Sequence, residues 1–327
     1  MMKNYDYIPF EKLNGKNILI TGACGLIGSA IIDFLIENNV ECNIYAMARN
    51  RNKAEKSFAK YLDNSLLHIV EGDVNAPLKG DIVFHYIINA ASNANPNAYA
   101  LDPVGTIWTN INGTKNLLDY GREHSLERFL YVSSGEVYGN GDVDNWKESD
   151  SGYVDCMTLR SCYPTSKRAA ETLCVAYSHQ YNIEAVVARP CHTFGPHFTD
   201  NDTRAYAQFV RNARNHEDIV LKSRGEQYRS WLYVKDCASA ILTILLKGLN
   251  EEAYNVADVN SCVTIRELAE TIAHIGGSKV VFDLPSEVER QGFSVIRKAV
   301  FDTSKLEALE WIPQYKLQEA LVETIKG

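Results

Sequence analysis

Tyr163 and Lys167 stand four residues apart in the run Tyr-Pro-Thr-Ser-Lys, so on a helix they share one face. A tyrosine ordinarily titrates near pH 10, about three units too high for a base at neutral pH. A neighbouring ammonium favours the phenolate. Such a tyrosine can take the proton of a hydroxyl group while a hydride leaves the same carbon. Pro164 is compatible with this if it lies in the first helical turn. The spacing alone is common, and a surface aromatic with a passing lysine would look the same. A second group narrows the choice. The run Ser133-Ser134-Gly135-Glu136-Val137-Tyr138-Gly139 comes after an apolar stretch and lies 24–30 residues before Tyr163. At the C-terminal edge of a parallel sheet, the Ser134 hydroxyl is placed to hold the hydroxyl that Tyr163 deprotonates. Its alternative is a turn serine.

A leaving hydride needs an acceptor. Asn17–Thr21 (NILIT) reads as a buried strand and runs into Gly22-Ala23-Cys24-Gly25-Leu26-Ile27-Gly28, succeeded by a helical pattern. Three glycines at this spacing allow a tight turn, close approach of a pyrophosphate, and close helix–strand packing. The helix N-terminus then faces the phosphates. An ordinary glycine-rich turn is the alternative. The expected acceptor is therefore a nicotinamide dinucleotide, whose positive ring would further favour the Tyr163 phenolate. Cys24, Leu26 and Ile27 share the phosphate-facing turn. The second strand continues as Ala46-Met47-Ala48-Arg49-Asn50-Arg51, with no carboxylate for a ribose 2′-hydroxyl. Arg49 and Arg51 are placed to meet a 2′-phosphate, or are solvated loop charges. The cofactor is read as NAD or NADP, with a lean to NADP. Asp73 and Val74 after the third strand, Ala90, Ala91 and Ser92 after the fourth, Ser133 after the fifth and Arg189 at the end of the sixth complete the expected cofactor contacts.

These groups need a scaffold. Strand signals fall at Asn17–Thr21, Glu41–Met47, Leu67–Glu71, Val83–Asn89, Arg128–Ser133 and Glu184–Arg189. Helical signals fall at Gly28–Asn38, Lys53–Leu62, Val104–His124 and Tyr163–Tyr181. The alternation predicts an α/β, Rossmann-like doubly wound parallel sheet with helices on both faces. Beyond Arg189 the pattern loosens. Helical signals at Arg204–Arg214, Cys237–Lys247, Val263–Ile275, Ser304–Leu309 and Leu317–Ile325, with an extended Gln227–Val234, predict a smaller mixed α/β lobe. The expected division is 1–189 for the dinucleotide domain, with 231–258 returning to it, and 190–230 with 259–327 for the substrate lobe.

The composition sets limits. Of 327 residues, 46% are hydrophobic and 23% charged, with a formal charge of −8 and no basic tract, which argues against a nucleic-acid partner. The polar N-terminus lacks the apolar core of a signal peptide, and no run of about 18 apolar residues predicts a membrane span. Eight cysteines without a Cys-x-x-Cys pair read as reduced residues of a cytoplasmic protein, and no metal site is expected.

Gly22-x-x-Gly25-x-x-Gly28, Ser134 and Tyr163-x-x-x-Lys167 together resemble the extended short-chain dehydrogenase/reductase superfamily, and within it the nucleotide-sugar epimerases, dehydratases and decarboxylases. The likeness covers nearly the whole chain. Asn110-Ile-Asn-Gly-Thr114 is similar to that branch's central helix, and the resemblance gives Asn110 a place in the catalytic framework and beside the cofactor. Arg189-Pro-Cys-His192-Thr-Phe-Gly-Pro196 and Arg229-Ser-Trp-Leu-Tyr233-Val-Lys-Asp236 are similar to two further stretches of the branch. The resemblance brings Arg229 and Tyr233 to the substrate, Arg229 near its phosphates. It implies a nucleoside-diphosphate sugar as partner and a transient 4-keto sugar. It also implies a homodimer formed through Val104–His124 and Tyr163–Tyr181.

The step after oxidation distinguishes the members of the branch. The dehydratases and decarboxylases have a glutamate where Glu136 stands, and ordinary 4-epimerases usually do not. The glucose dehydratases precede it with an aspartate acid, where this chain has Gly135. Glu136 is read as a C5 base or as a structural carboxylate. Arg160-Ser-Cys-Tyr163 looks like the corresponding run of the glucuronate decarboxylases, so Arg160 either faces a substrate carboxylate or is a loop charge. His192 replaces an expected asparagine and is a candidate substrate contact. The leading expectation is an epimerase/dehydratase. A UDP-glucuronate-decarboxylase-like enzyme, a keto-sugar reductase and a non-catalytic dinucleotide sensor are the alternatives.

Overall fold

A computed structural model of the chain describes residues 3–198, 202–284 and 298–327. Its elements run β1 (Asn17–Thr21), α1 (Leu26–Glu37), β2 (Asn43–Ala48), α2 (Arg51–Ser57), β3 (Leu67–Glu71), β4 (Tyr86–Asn89), α3 (Pro96–Leu101), α4 (Pro103–Glu123), β5 (Arg128–Val132), α5 (Cys162–Tyr181) and β6 (Ala185–Pro190). Next come β7 (His192–Phe194), α6 (Ala205–Arg214), β8 (Ile219–Leu221), β9 (Tyr228–Tyr233), α7 (Val234–Lys247), β10 (Ala253–Val256), β11 (Cys262–Thr264), α8 (Ile265–Gly276), β12 (Val280–Phe282), β13 (Lys298–Ala299), α9 (Ser304–Glu307) and α10 (Leu317–Lys326).

Seven strands form one parallel sheet in the order β3-β2-β1-β4-β5-β6-β10. Successive residues feed opposite faces. Ile18 and Ile20 of β1, with Leu130 and Val132 of β5, join the core on the α1/α7 face; Leu19, Phe129 and Tyr131 join the core on the α4/α5 face. Both faces are covered, which is why the strands read as continuous apolar runs. The order reverses between β1 and β4, and in such sheets the crevice beyond the carboxyl ends at that point receives ligands.

Local chemistry sets several boundaries. Asn50 accepts a hydrogen bond from the Lys53 amide at 2.9 Å, so α2 starts at Arg51; it ends at Ser57 and gives way to a 3₁₀ turn, where the sequence predicted helix to Leu62. Asp102 caps α4 ahead of Pro103, and a Thr264–Glu267 capping box starts α8. β10, absent from the sequence-based prediction, adds the seventh strand beside β6.

In the remainder, β9 is central and pairs with β7, β11 and β13, while β8 pairs with β12. The helices α6, α8 and α10 pack together in this part. Its core residues Trp231, Leu268 and Leu321 are continuous with those of α1 and α7. Among the described residues no helix is long and apolar enough to cross a membrane.

Candidate active site

The turn after β1 shows why glycine is needed there. Gly22 has a φ of +63°, and a Cβ on it would lie 2.6 Å from the Ala90 carbonyl oxygen. A Cβ on Gly28 would lie 2.3 Å from the Gly22 carbonyl oxygen, so the first turn of α1 can close on the loop only without a side chain. Beyond this turn a cavity of about 470 Å3 opens at the carboxyl ends of β1 to β4. Of the expected cofactor contacts, Gly22, Cys24, Gly25, Arg49, Asp73, Val74, Ala90, Ala91 and Ser92 line it. A close-approach backbone, a helix N-terminus and small residues at the end of β4 fit a dinucleotide. Leu26, Ile27 and Gly28 belong to α1 and are not part of its wall.

Lys53 also lines this cavity and was not expected from the sequence. Its signal was the Asn50 cap, which places Lys53 in the first turn of α2, beside the β2 end that carries Arg49. Arg51 turns away and donates to the Ile69 carbonyl at 3.1 Å.

The expected catalytic residues converge beside the crevice. Tyr163 and Lys167 are both buried on α5. Asn110, wholly buried on α4, donates to the Ser166 hydroxyl at 2.9 Å and accepts from the Ser92 hydroxyl at 2.8 Å, tying the end of β4 to the first turns of α5. Ser134 caps the turn Gly135–Tyr138 and accepts from the Glu136 amide at 3.2 Å.

The electrostatics differ from the expectation. Burial pushes the Tyr163 hydroxyl well above the usual tyrosine range, with the Ser134 hydroxyl opposing the rise. Lys167 does not reach it. Its Nζ donates to the Val132 carbonyl at 2.8 Å and lies 5.7 Å from the Tyr163 ring centroid. Burial holds the lysine's own pKa down to about 7, with the Glu171 carboxylate opposing that fall. A desolvated ammonium bonded to a carbonyl has little left to give a neighbouring phenol, so a further positive charge must come from elsewhere for Tyr163 to ionise. Tyr99 of α3, which the sequence did not mark, stacks on Tyr163 with ring centroids 5.4 Å apart.

Charge also gathers around Tyr163. Arg160 donates to both oxygens of Glu136, at 3.0 Å each. The positive charge of Arg204 is felt at both Tyr163 and His192, and Arg229 at His192. Arg204 itself is braced by Asp202 and the Tyr206 hydroxyl. No motif pointed to Arg204, which sits in the loosely patterned tail. Burial, then Arg229, lowers the His192 pKa to about 4, so the ring is neutral at physiological pH. The residue is solvent-accessible at its surface while the surrounding protein desolvates its ring, which lies 5.3 Å from the Trp231 ring. Gly135 abuts Phe301, whose ring a Cβ would meet at 2.5 Å.

Three of the expected contacts are engaged within the protein. Tyr233 is buried, and its hydroxyl donates to Glu323 of α10 at 2.8 Å. Arg189 is engaged within the protein as well. Its guanidinium is engaged by both Glu171 oxygens, at 3.0 and 2.7 Å, and by the Glu148 carbonyl. Ser133 likewise gives its hydroxyl to Glu171, at 2.5 Å.

The profile described as the NAD dependent epimerase/dehydratase family matches residues 18–257. The chain belongs to this family. It is an enzyme of the nucleotide-sugar branch of the extended short-chain dehydrogenase/reductases. UDP-glucuronic acid decarboxylase 5 of Arabidopsis thaliana is 34% identical over 313 residues, spanning 94% of this chain and 88% of that protein. UDP-glucuronic acid decarboxylase 1 of Xenopus tropicalis is 31% identical, spanning 98% of this chain and 74% of that protein. Among solved structures, a UDP-glucose 4-epimerase of Thermotoga maritima superposes with a TM-score of 0.81 at 23% identity, covering 95% and 97% of the two chains. The last likeness concerns the fold.

Proposed function

We propose that this enzyme decarboxylates a nucleotide-linked uronic acid of the UDP-glucuronate type, through a 4-keto sugar. The observation that carries the reading is the two-nitrogen edge of Arg160, which holds a carboxylate beside Tyr163. A guanidinium in that place suits a C6 carboxylate. Arg204 and Arg229 add positive potential for a diphosphate, and the decarboxylase relatives support the same substrate class.

Tyr163 is the base that accepts the sugar 4-hydroxyl proton, and Ser134 holds that hydroxyl in line. The dinucleotide, when bound, supplies reversible hydride transfer and a positive ring that brings the Tyr163 pKa down. A ketone at C4 lies β to the C6 carboxylate, so the carbon–carbon bond to the carboxylate breaks, CO2 leaves, and its electron pair passes to the C4 oxygen. Protonation at C5 then restores the ketone for reduction. Neutral His192 hydrogen-bonds to the substrate without adding charge.

A second reading retains Glu136 as a C5 base for epimerisation or dehydration. It is favoured by the influence of the Glu136 charge at Tyr163. Gly135 offers no acid for a leaving 6-hydroxyl, which weighs against dehydration.

Arg49 and Lys53 on the cavity wall, with no carboxylate at the end of β2, favour NADP over NAD. A homodimer is proposed through α4 and α5, which pack together and leave Val104, Ile107, Trp108, Val175 and Tyr181 exposed. Eight unpaired cysteines suit a cytoplasmic setting.

Mass spectrometry after incubation with UDP-glucuronate tests the reading. A product lighter by CO2 supports it. An isomer of unchanged mass would establish epimerisation instead, and turnover of neutral UDP- or dTDP-sugars in preference to the uronate would refute it.

A further inference from the structure

Arg160 and Glu136 meet edge to edge, with both terminal nitrogens of the guanidinium committed to both carboxylate oxygens at 3.0 Å. The pair lies on accessible ground, with side chains 49% and 32% exposed, so a ligand can reach it. Arg160 lies in a 3₁₀ turn that leads directly into α5, three residues before Tyr163. Glu136 rises from the turn capped by Ser134. The fork that would bind a substrate carboxylate is therefore already held by a carboxylate of the protein, and one edge of a guanidinium accommodates one carboxylate at a time.

We propose that the substrate carboxylate and Glu136 exchange on Arg160, so that a uronate releases Glu136 from its clamp as it binds. This rests on the proposal of a uronate substrate. The Arg160 fork holds one carboxylate before and after the exchange, while the site as a whole gains the charge of the uronate. The freed Glu136 stays beside Tyr163, which already senses its charge. A neutral sugar has nothing to displace Glu136 with, and leaves it clamped. When CO2 departs, the fork loses its ligand and Glu136 returns to it, which favours release of the pentose product. Arg160 is thus both the selector for a carboxylate and the positioning residue for Glu136.

The test uses the full-length enzyme loaded with reduced dinucleotide, so that no oxidation begins, and calorimetric titration with UDP-glucuronate and with UDP-glucose. Glu136→Gln removes the competing charge. A ligand that must first displace a competitor gains affinity when the competitor is weakened, so UDP-glucuronate should bind about fivefold tighter to this variant. UDP-glucose should change less than about twofold, which also shows that the variant is folded. Arg160→Gln should weaken UDP-glucuronate by about tenfold or more and abolish the gain from Glu136→Gln in the double variant. Unchanged or weaker UDP-glucuronate binding in Glu136→Gln overturns the exchange, even if the preference for the uronate remains and depends on Arg160. If the wild type binds both sugars alike and Arg160→Gln alters neither, the uronate reading itself fails and takes the exchange with it.

Discussion

Replacing Lys167 by methionine should make the dinucleotide-free protein more stable while abolishing turnover, and the gain should fade as pH rises. Lys167 is 2% exposed, and its ammonium donates to one carbonyl, Val132. Its pKa falls from 10.5 to about 7 on folding, chiefly through desolvation. At about 1.4 kcal/mol per pH unit, that gap amounts to about 5 kcal/mol. Between the two values the unfolded chain binds the proton and the folded protein does not, so stability rises with pH across that window. Below pH 7 both states are protonated and the full penalty applies. Methionine keeps the unbranched stem and carries no charge, so it removes this dependence. The stability difference between variant and wild type should shrink by about 3 kcal/mol between pH 6.5 and 9.5. Urea unfolding of both proteins across that range, with the slopes checked for constancy, measures it without the screening that guanidinium would add. Taking the difference cancels the many buried tyrosines, which titrate higher in both proteins. A difference that stays flat with pH would show that the folded lysine keeps an ordinary affinity for its proton, and the account of a desolvated ammonium would be wrong.

Tyr163→Phe should retain dinucleotide binding and lower kcat by about 100-fold or more, read from product formation by chromatography. Gly28→Ala places a methyl 2.3 Å from a carbonyl oxygen; it should cost about 1–3 kcal/mol in stability and weaken dinucleotide binding, measured by urea unfolding and fluorescence titration. The double variant Arg49→Glu, Lys53→Glu should weaken NADP by about tenfold or more and change NAD far less, and equal losses for both would remove the 2′-phosphate assignment. Trp108→Glu, at a residue 57% exposed on α4, should convert a dimer to a monomer by light scattering.

The parts of the site that local sequence could reveal are those set by local geometry. Gly22, Gly25 and Gly28 act through the backbone within one turn. Tyr163 and Lys167 share a helix face whatever packs against it. Ser134 comes just after a strand end. Each could be placed from spacing alone. Lys53 was not, because its position at the cavity depends on where α2 begins, and the Asn50 cap moved that start two residues ahead of the predicted one. Arg204 and Tyr99 come to Tyr163 only through tertiary packing; the helical signal that begins at Arg204 says nothing of which side chains it meets. Tyr233 and Arg189 show the opposite case. Their motifs resemble a substrate or cofactor contact, yet both side chains find partners elsewhere: Tyr233 on Glu323, 90 residues on, and Arg189 on Glu171. β10 was missed for a similar reason, since Ala-Tyr-Asn-Val is too short to signal a strand until β6 offers it an edge.

The engagement of Arg189 has a consequence for the site. Tyr163, Lys167 and Glu171 lie at successive fours along one face of α5, so a buried ammonium is succeeded by a partly buried carboxylate. Left alone, that carboxylate would be costly, and Arg189 of β6 meets it with two hydrogen bonds. Arg189 also donates to the Tyr138 hydroxyl at 3.0 Å, and Ser133 closes on Glu171 from the end of β5. Lysine, glutamate and arginine thus alternate in sign beneath the tyrosine and join α5, the end of β5, the Ser134 turn and β6 through one set of bonds. Ser134 and Tyr163 are 29 residues apart in the chain, and this network joins their elements together with Arg168, which donates to the Val137 and Gly152 carbonyls. Loss of Glu171 would leave the partly buried Arg189 without its counter-ion and Lys167 without the charge that opposes its desolvation. Damage there would therefore reach the base through the lysine and through the placement of Ser134, although Glu171 is engaged with Arg189 and Ser133 rather than with the substrate side of the cleft.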